Sequence, residues 1–254
     1  MREGTNTKER LSARLSANTQ GSRDMNAFLF ELAGIDASDS VLELGCGSGS
    51  HTRRLAPLVH SIVATDISEE LVSVLSRDLA DRPNVQVIAC DMDGATEKLS
   101  ARRFDLVTAV YSLYYSRNVG SLVERIARNL LAENGRFLTI SPDIGNNAEW
   151  YDDLAQVFPI APDVLQTSGV SRRIVGHVLD NFAKVTCVRF VNEVRYLRLA
   201  DVMAYYDGCG AYCPAERRGA AERYFARKFE AEGSYSIFKR ALAILARDGT
   251  PRAK

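Results

Sequence analysis

The chain has 254 residues, of which 46% are apolar, so it is long enough to bury a sizeable hydrophobic core. Lys plus Arg balance Asp plus Glu at 32 each, so no overall positive field would attract nucleic acid or an anionic membrane. No apolar run is long enough to cross a bilayer and residues 1–20 do not resemble a signal peptide, which predicts a soluble, cytoplasmic protein without a membrane partner.

The five cysteines are odd in number and scattered along the chain, unlike a disulfide framework. Cys209 and Cys213 are close in sequence, but none of the three histidines lies near them. We therefore expect reduced thiols and no metal site.

The first predicted elements are helical. Residues 8–33 have helical spacing of apolar side chains, with a break at Gly21, and we assign residues 1–36 to an N-terminal helical arm. From there to residue 142 the sequence alternates short apolar runs with amphipathic helical segments, which predicts parallel strands joined by crossover helices. The helix predicted between the strands 104–110 and 136–140 is expected to end at Gly135 in a left-handed cap. The predicted strands are 41–44, 61–65, 85–90, 104–110 and 136–140.

The regular alternation stops after residue 142. Residues 143–181 contain Pro159, Pro162, Gly169 and Gly176, and we interpret this stretch as an inserted cap that binds substrate. Residues 182–254 hold two further strand candidates, 185–197 and 234–245, the second of which could equally be a helix.

The most informative motif is the apolar strand that runs directly into Gly45, Gly47 and Gly49. Glycine there allows a ligand to approach the backbone closely, and the following helix offers unpaired N–H groups. The next strand ends at Asp66, about twenty residues on, where an acid can accept hydrogen bonds from both ribose hydroxyls of an adenosine. Because Ser50 follows the third glycine, the loop fits a dinucleotide fingerprint poorly, and it has no P-loop lysine.

Over residues 39–142 the chain resembles the class I methyltransferases that use S-adenosylmethionine (SAM). The resemblance implies a doubly wound, mostly parallel, seven-stranded Rossmann-like sheet, with residues 37–142 as the SAM-binding core. It implies that the glycine loop contacts the methionine part of SAM, Asp66 the ribose, and Ile67, Asp91 and Met92 the adenine. The implied cofactor-binding residues are Glu43, Gly45, Cys46, Gly47, Gly49, Asp66, Ile67, Asp91, Met92, Val110 and Tyr111.

Residues after the fourth strand usually face the transferred methyl group in this family. Here they lack the signatures of DNA amine and cytosine C5 methylation, and Tyr111 stands where a metal-dependent enzyme would need an acid. We therefore predict a metal-independent enzyme acting on a small molecule, with His177 and Tyr115 as catalytic candidates. The predicted acceptor walls are Tyr111, Tyr114, Tyr115, Trp150 and Tyr151.

Two other functions remain open at this point: an NAD-dependent oxidoreductase, and a non-catalytic SAM-fold subunit that supports a partner. The glycine spacing disfavours the first, and the intact glycine loop and ribose acid disfavour the second. The neutral charge disfavours a nucleic-acid acceptor. We expect a monomer or homodimer; the sequence does not reveal the acceptor or whether oxygen or nitrogen is methylated.

Overall fold

A computed structural model of the chain describes residues 21–160, 169–210 and 212–249, and a seven-stranded sheet lies at its centre. In chain order the strands are β1 Ser40–Leu44, β2 Ser61–Asp66, β3 Val85–Ala89, β4 Phe104–Val110, β5 Leu131–Pro142, β6 Lys184–Tyr196 and β7 Tyr235–Arg247. Their order across the sheet is β3-β2-β1-β4-β5-β7-β6. Strands β1 to β5 pair in parallel, and β7 is antiparallel to β5. This confirms the predicted doubly wound, mostly parallel Rossmann-like sheet.

The strand order reverses at β1, which pairs with β2 on one side and with β4 on the other. In open α/β sheets, ligands bind outside the carboxyl ends of the strands at such a reversal. The residues that follow β1, β2, β3 and β4 therefore share one edge of the sheet, and this edge is where the predicted cofactor residues lie.

Burial explains why these segments are strands. β1 and β2 are buried along nearly their whole length, as expected where helices cover both faces of a parallel sheet. β7 is a strand although residues 241–247 are rich in helix formers, because it pairs with β5 from Ala241 opposite Pro142 to Arg247 opposite Arg136. Pairing with a buried neighbour outweighs local propensity here.

The helices in the described ranges are α1 Met25–Ala33, α2 Ser50–Leu55, α3 Glu69–Asp78, α4 Met92–Lys98, α5 Val119–Arg125, α6 Ala148–Ala155, α7 Val170–Asn181, α8 Leu199–Gly208 and α9 Arg218–Glu232. Short 3₁₀ turns occupy Ala56–Leu58, Leu113–Tyr115 and Ala215–Arg217, and a π-helical turn occupies Ile126–Leu130. The side chains of Ser68, Asp91 and Asn118 cap the starts of α3, α4 and α5. Within these ranges, no helix has the length and apolar content needed to cross a membrane.

The larger of two compact units comprises residues 25–143, 169–189 and 241–249. In it, α7 packs against α5 and β5, and its buried Val170, Ile174 and Val178 join the hydrophobic core. The prediction of a cap over 143–181 is therefore wrong for residues 170–181, because α7 packs on the sheet; residues 161–168 of that stretch lie outside the described residues. The spacing of those three residues places them on one helical face, a signal that the nearby prolines and glycines obscured.

The smaller unit comprises residues 21–24, 144–160, 190–210 and 212–240 among those described. It contains α6, α8 and α9 and has a core of its own, rich in aromatic side chains. Its extent differs from the predicted division, which assigned all of residues 182–254 to completion of the sheet. The predicted N-terminal arm also divides, because residues 1–20 lie outside the described part and α1 belongs to the larger unit.

The predicted helix end at Gly135 is wrong, because the π-helical turn ends at Leu130 and both Asn134 and Gly135 lie within β5. The left-handed backbone belongs to Asn134, with a φ of 62°, and not to Gly135. Gly135 is required for another reason, since a Cβ there would lie 2.9 Å from the carbonyl oxygen of Ala132.

Candidate functional site

The loop after β1 has a left-handed backbone at three alternate glycines: Gly45 with a φ of 78°, Gly47 with 56° and Gly49 with 78°. The backbone N–H groups of Gly45 and Cys46 both donate to the carbonyl oxygen of Thr65, at 2.8 and 2.9 Å. The loop is thereby fastened to the end of β2. Glycine adopts this conformation without the steric cost that a side chain would bring.

Two of the three glycines are needed for packing within the protein. A Cβ on Gly45 would lie 2.5 Å from Cβ of Ser112, and one on Gly49 would lie 2.2 Å from Cδ1 of Leu75. Gly47 differs, because its backbone N–H donates a 2.8 Å hydrogen bond to Oδ2 of Asp66. Gly47 is therefore the glycine that links the loop to the predicted ribose acid.

Asp66 stands at the end of β2 with both carboxylate oxygens aligned by backbone groups. Oδ2 accepts from Gly47 and Oδ1 accepts from the N–H of Ser68 at 2.9 Å. Each carboxylate oxygen has a further lone pair, so the side chain can also accept hydrogen bonds from ligand hydroxyls. The neighbouring Ile67 side chain is 74% exposed, which leaves an apolar surface beside this acceptor.

Asp91 and Met92 follow β3 at the same edge. Asp91 caps α4, with Oδ1 accepting from the N–H of Gly94 at 2.7 Å. Its other oxygen, Oδ2, accepts from the guanidinium of Arg117 at 3.1 Å. The Met92 side chain is buried, and its Cε lies 3.8 Å from the position of a Cβ on Gly45. Arg117 was not predicted from sequence, because a single arginine in a polar loop carries no periodic signal.

Glu43, in β1, and Cys46, in the glycine loop, are both buried. Thr52 donates a 2.7 Å hydrogen bond to Oε2 of Glu43, which ties β1 to α2. Burial raises the pKa of the Glu43 carboxyl to about 7. Burial also raises the pKa of the Cys46 thiol, which keeps it protonated and unreactive. Glu43 is 1% exposed and its carboxyl contacts Thr52; its role in cofactor binding stays a prediction.

β4 ends at Val110, and the segment that follows begins at Tyr111 with a left-handed backbone. Tyr111 has a φ of 51°, and its N–H donates to the carbonyl oxygen of Ile140 at 2.9 Å. Left-handed conformations of non-glycine residues concentrate at functional sites. Ser112, which the sequence analysis did not select, donates from Oγ to the carbonyl oxygen of Leu44 at 2.6 Å. It fills the space that Gly45 leaves open.

The remaining predicted aromatic and catalytic residues of the larger unit are partly accessible. The rings of Tyr114 and Tyr115 lie 4.6 Å apart between centroids, and Tyr115 is 41% exposed. His177 lies on α7, where a Cβ on Gly120 would be 3.0 Å from its Nδ1. The structure thus places His177 at the interface of α5 and α7, away from residues 111–115 in sequence and on a different element.

The structure corrects the assignment of Trp150 as an acceptor wall. Trp150 is 1% exposed and stacks on Phe225, with ring centroids 5.2 Å apart and an interplanar angle of 7°. The rings of Tyr205 and Tyr235 surround it further. It is a core residue of the smaller unit. The partly buried Tyr151 packs against this same core.

No group of three or more metal-binding side chains occurs within residues 21–160, 169–210 and 212–249. Asp143, which follows β5, is buried and already engaged. It accepts from Ser171 Oγ at 2.8 Å and from Arg189 Nε at 3.1 Å.

Comparison with known proteins agrees with this geometry. Residues 41–135, which carry the glycine loop, Asp66 and Asp91, match a family model described as "Methyltransferase domain". This match covers residues 41–135 of the 254-residue chain, and the surrounding sheet has a Rossmann-like methyltransferase fold.

Among curated relatives, two enzymes illustrate the range of similarity. Ribosomal RNA small subunit methyltransferase A of Crocosphaera subtropica is 35% identical over 79 residues, covering 30% of this chain and 29% of the relative. Malonyl-[acyl-carrier protein] O-methyltransferase of Halalkalibacterium halodurans is 31% identical over 116 residues, 42% of each chain. The chain thus matches less than half of the length of either relative.

Solved structures share the fold over most of their length. YcgJ from Bacillus subtilis superposes with a TM-score of 0.62 at 18% identity, covering 89% of this chain and 98% of YcgJ. The N-methyltransferase NodS from Bradyrhizobium japonicum WM9, in complex with S-adenosylhomocysteine (SAH), gives a TM-score of 0.52 at 15% identity, covering 93% and 98%. At sequence identities this low, the similarity shows a shared fold and nothing more.

Proposed function

We propose that this protein is a metal-independent methyltransferase that transfers the methyl group of SAM to an oxygen or nitrogen of a small molecule. One observation carries the proposal. The glycine loop after β1 and the acid after β2 are joined by the hydrogen bond from Gly47 to Asp66, beside the exposed Ile67. This combines hydroxyl acceptors with an apolar surface, as an adenosine requires.

The residues at the sheet edge fit SAM. Asp66 has lone pairs for ribose hydroxyls, and Ile67 and Met92 offer apolar surface to the adenine. NodS, which shares the fold, holds SAH in its crystal structure, and this supports the same ligand here. When bound, SAM supplies a methyl group on a cationic sulfur. The tasks left to the protein are to orient the acceptor, to exclude water and to remove a proton where the acceptor needs it.

We place the acceptor beside the loop 111–115. Burial raises the pKa of Tyr111, so this phenol stays neutral and acts as a wall or a hydrogen-bond donor. Tyr115 is the better proposal for proton removal, because it lies on the same loop and is exposed. His177 is the weaker candidate for proton removal, since its side chain packs between α5 and α7.

The matches to ribosomal RNA methyltransferases favour a second candidate, transfer to an RNA base. The balanced charge of 32 basic and 32 acidic residues argues against it, because RNA binding draws most of its affinity from phosphate contacts. Transfer to an oxygen is in keeping with the relative named malonyl-[acyl-carrier protein] O-methyltransferase.

The experiment is methyl transfer from isotope-labelled SAM to two separate pools, small metabolites and folded ribosomal RNA, followed by mass spectrometry. Label in the metabolite pool is the expected result. Label in RNA alone would establish the second candidate. Label in neither pool, together with absent SAM binding, would overturn the proposed function.

A further inference from the structure

Arg117 joins two loops at the adenine end of the proposed SAM site. Its guanidinium donates to Oδ2 of Asp91 at 3.1 Å, and its backbone N–H donates to Oδ2 of Asp93 at 3.1 Å. The Arg117 side chain is 78% exposed and that of Asp91 is 32% exposed. The arginine therefore reaches from the loop after β4, over the outside of the sheet edge, to the residue that follows β3.

Hydrogen bonds to Asp93 hold the backbone of residues 116–117 in place. Asp93 accepts from Ser116 Oγ at 2.9 Å and from the guanidinium of Arg125 at 3.0 Å. The side chains of Asp93 and Arg125 are 17% and 29% exposed, so this second ion pair is more sheltered than the first. Residues 116–117 are thus fixed, while the guanidinium of Arg117 lies in solvent and is able to move.

We propose that Arg117 closes the adenine end of the SAM site and thereby sets the rate at which the cofactor leaves; this inference rests on the proposed function. Oδ1 of Asp91 is occupied by the N–H of Gly94, which caps α4. Oδ2 is the oxygen left for the adenine amino group, and Arg117 lies on that oxygen.

The two donors can share this oxygen, because each carboxylate oxygen has two lone pairs. With the ion pair kept at Oδ2 of Asp91, the planar guanidinium would be close to a bound adenine, and arginine interacts favourably with an aromatic face. An exposed ion pair contributes little by itself. A bound base that excludes water from the pair strengthens it, so closure and cofactor binding stabilise each other.

The proposal is tested by the dissociation rate of SAH, measured by stopped-flow displacement in wild-type protein, Arg117→Gln and Arg128→Gln. Arg128 is the matched control, an exposed arginine paired with Glu124 one turn away. We expect Arg117→Gln to release SAH about tenfold faster, with an association rate within about threefold of wild type, since affinity differences reside mostly in dissociation. Arg128→Gln should match wild type.

Arg117→Lys keeps the positive charge that pairs with Asp91 but lacks the planar guanidinium. We therefore expect this variant to release SAH at a rate between those of wild type and Arg117→Gln. A wild-type dissociation rate in Arg117→Gln, or equal acceleration in Arg128→Gln, would overturn the inference and leave the proposed function intact. Failure of the wild-type protein to bind SAH would overturn both. Melting temperatures without ligand identify any variant whose effect comes from misfolding.

Discussion

The backbone N–H of Gly47 donates a 2.8 Å hydrogen bond to Oδ2 of Asp66, which joins the loop after β1 to the acid after β2. The glycine loop and the ribose acid are usually treated as separate motifs. In this chain they form one hydrogen-bonded unit, so a change in either residue acts on the position of the other.

The first prediction concerns Gly47→Ala. Both Gly47 and Gly34 have left-handed backbones, with φ of 56° and 63°, so alanine introduces similar strain of about 1–2 kcal/mol at each. A Cβ on Gly34 meets nothing within 4 Å, which makes Gly34→Ala a matched control. Calorimetry should show SAH affinity reduced at least about tenfold in Gly47→Ala and unchanged in Gly34→Ala. Equal SAH affinities in the two variants would remove Gly47 from the site.

The second prediction concerns Trp150, whose ring is enclosed in the aromatic core of the smaller unit. Trp150→Ala should lower the free energy of unfolding by about 3–5 kcal/mol, because it leaves a large cavity. Trp150→Phe should lower it much less, since a ring still stacks on Phe225. Urea denaturation measures both. If Trp150→Ala is as stable as wild type but turns over acceptor poorly, Trp150 is an acceptor wall after all.

The third prediction concerns pH and the buried His51. Its Nδ1 lies 2.8 Å from Oδ1 of Asn26, an oxygen that only accepts, and its Nε2 has no hydrogen-bond partner among the described residues. Burial lowers the pKa of His51 from 6.5 to about 4. Between these pH values His51 is protonated in the unfolded chain but neutral in the folded protein. The free energy of unfolding therefore falls as the pH drops from 6.5 towards 4. The loss reaches about 3 kcal/mol.

Replacement of His51 by Gln removes this contribution to the pH dependence. The variant should be less stable than wild type at pH 8, and the difference should shrink or reverse by pH 4.5. Urea denaturation at pH 8, 6 and 4.5 provides the comparison. A difference that stays constant across the three pH values would show that His51 does not titrate as described.

The larger unit could be predicted from sequence to a large extent, because its strands are buried on both faces and appear as short apolar runs between helical segments. Ser61–Asp66 and Phe104–Val110 show this pattern most clearly. The edge proposed to bind the ligand could also be predicted from sequence, since Gly47, Asp66 and Asp91 each follow a predicted strand. Parallel strands bring such residues to one edge.

The roles of Arg117 and Trp150 could not be predicted, because they depend on contacts between residues far apart in the chain. The spacing of residues along the sequence does not reveal such contacts. Arg117 meets Asp91 only because β4 and β3 end at the same edge, and a single arginine in a polar loop carries no periodic signal. Trp150 looked like a pocket residue because the helices that bury it come some 50 to 75 residues later in the chain, at Tyr205 and Phe225. Aromatic residues have the same appearance in a sequence whether they line a pocket or fill a core.

The most direct test of the account is calorimetric titration of SAH into wild-type protein, Asp66→Asn and the control Asp78→Asn, whose carboxylate forms an exposed ion pair with Arg53. We predict that wild type and Asp78→Asn bind SAH equally. Asp66→Asn should lose about 3 kcal/mol of binding free energy, more than a hundredfold in Kd, because it removes a charged hydrogen-bond acceptor. Undiminished SAH affinity in folded Asp66→Asn, or no binding by the wild-type protein, would contradict the assignment of this edge as the SAM site.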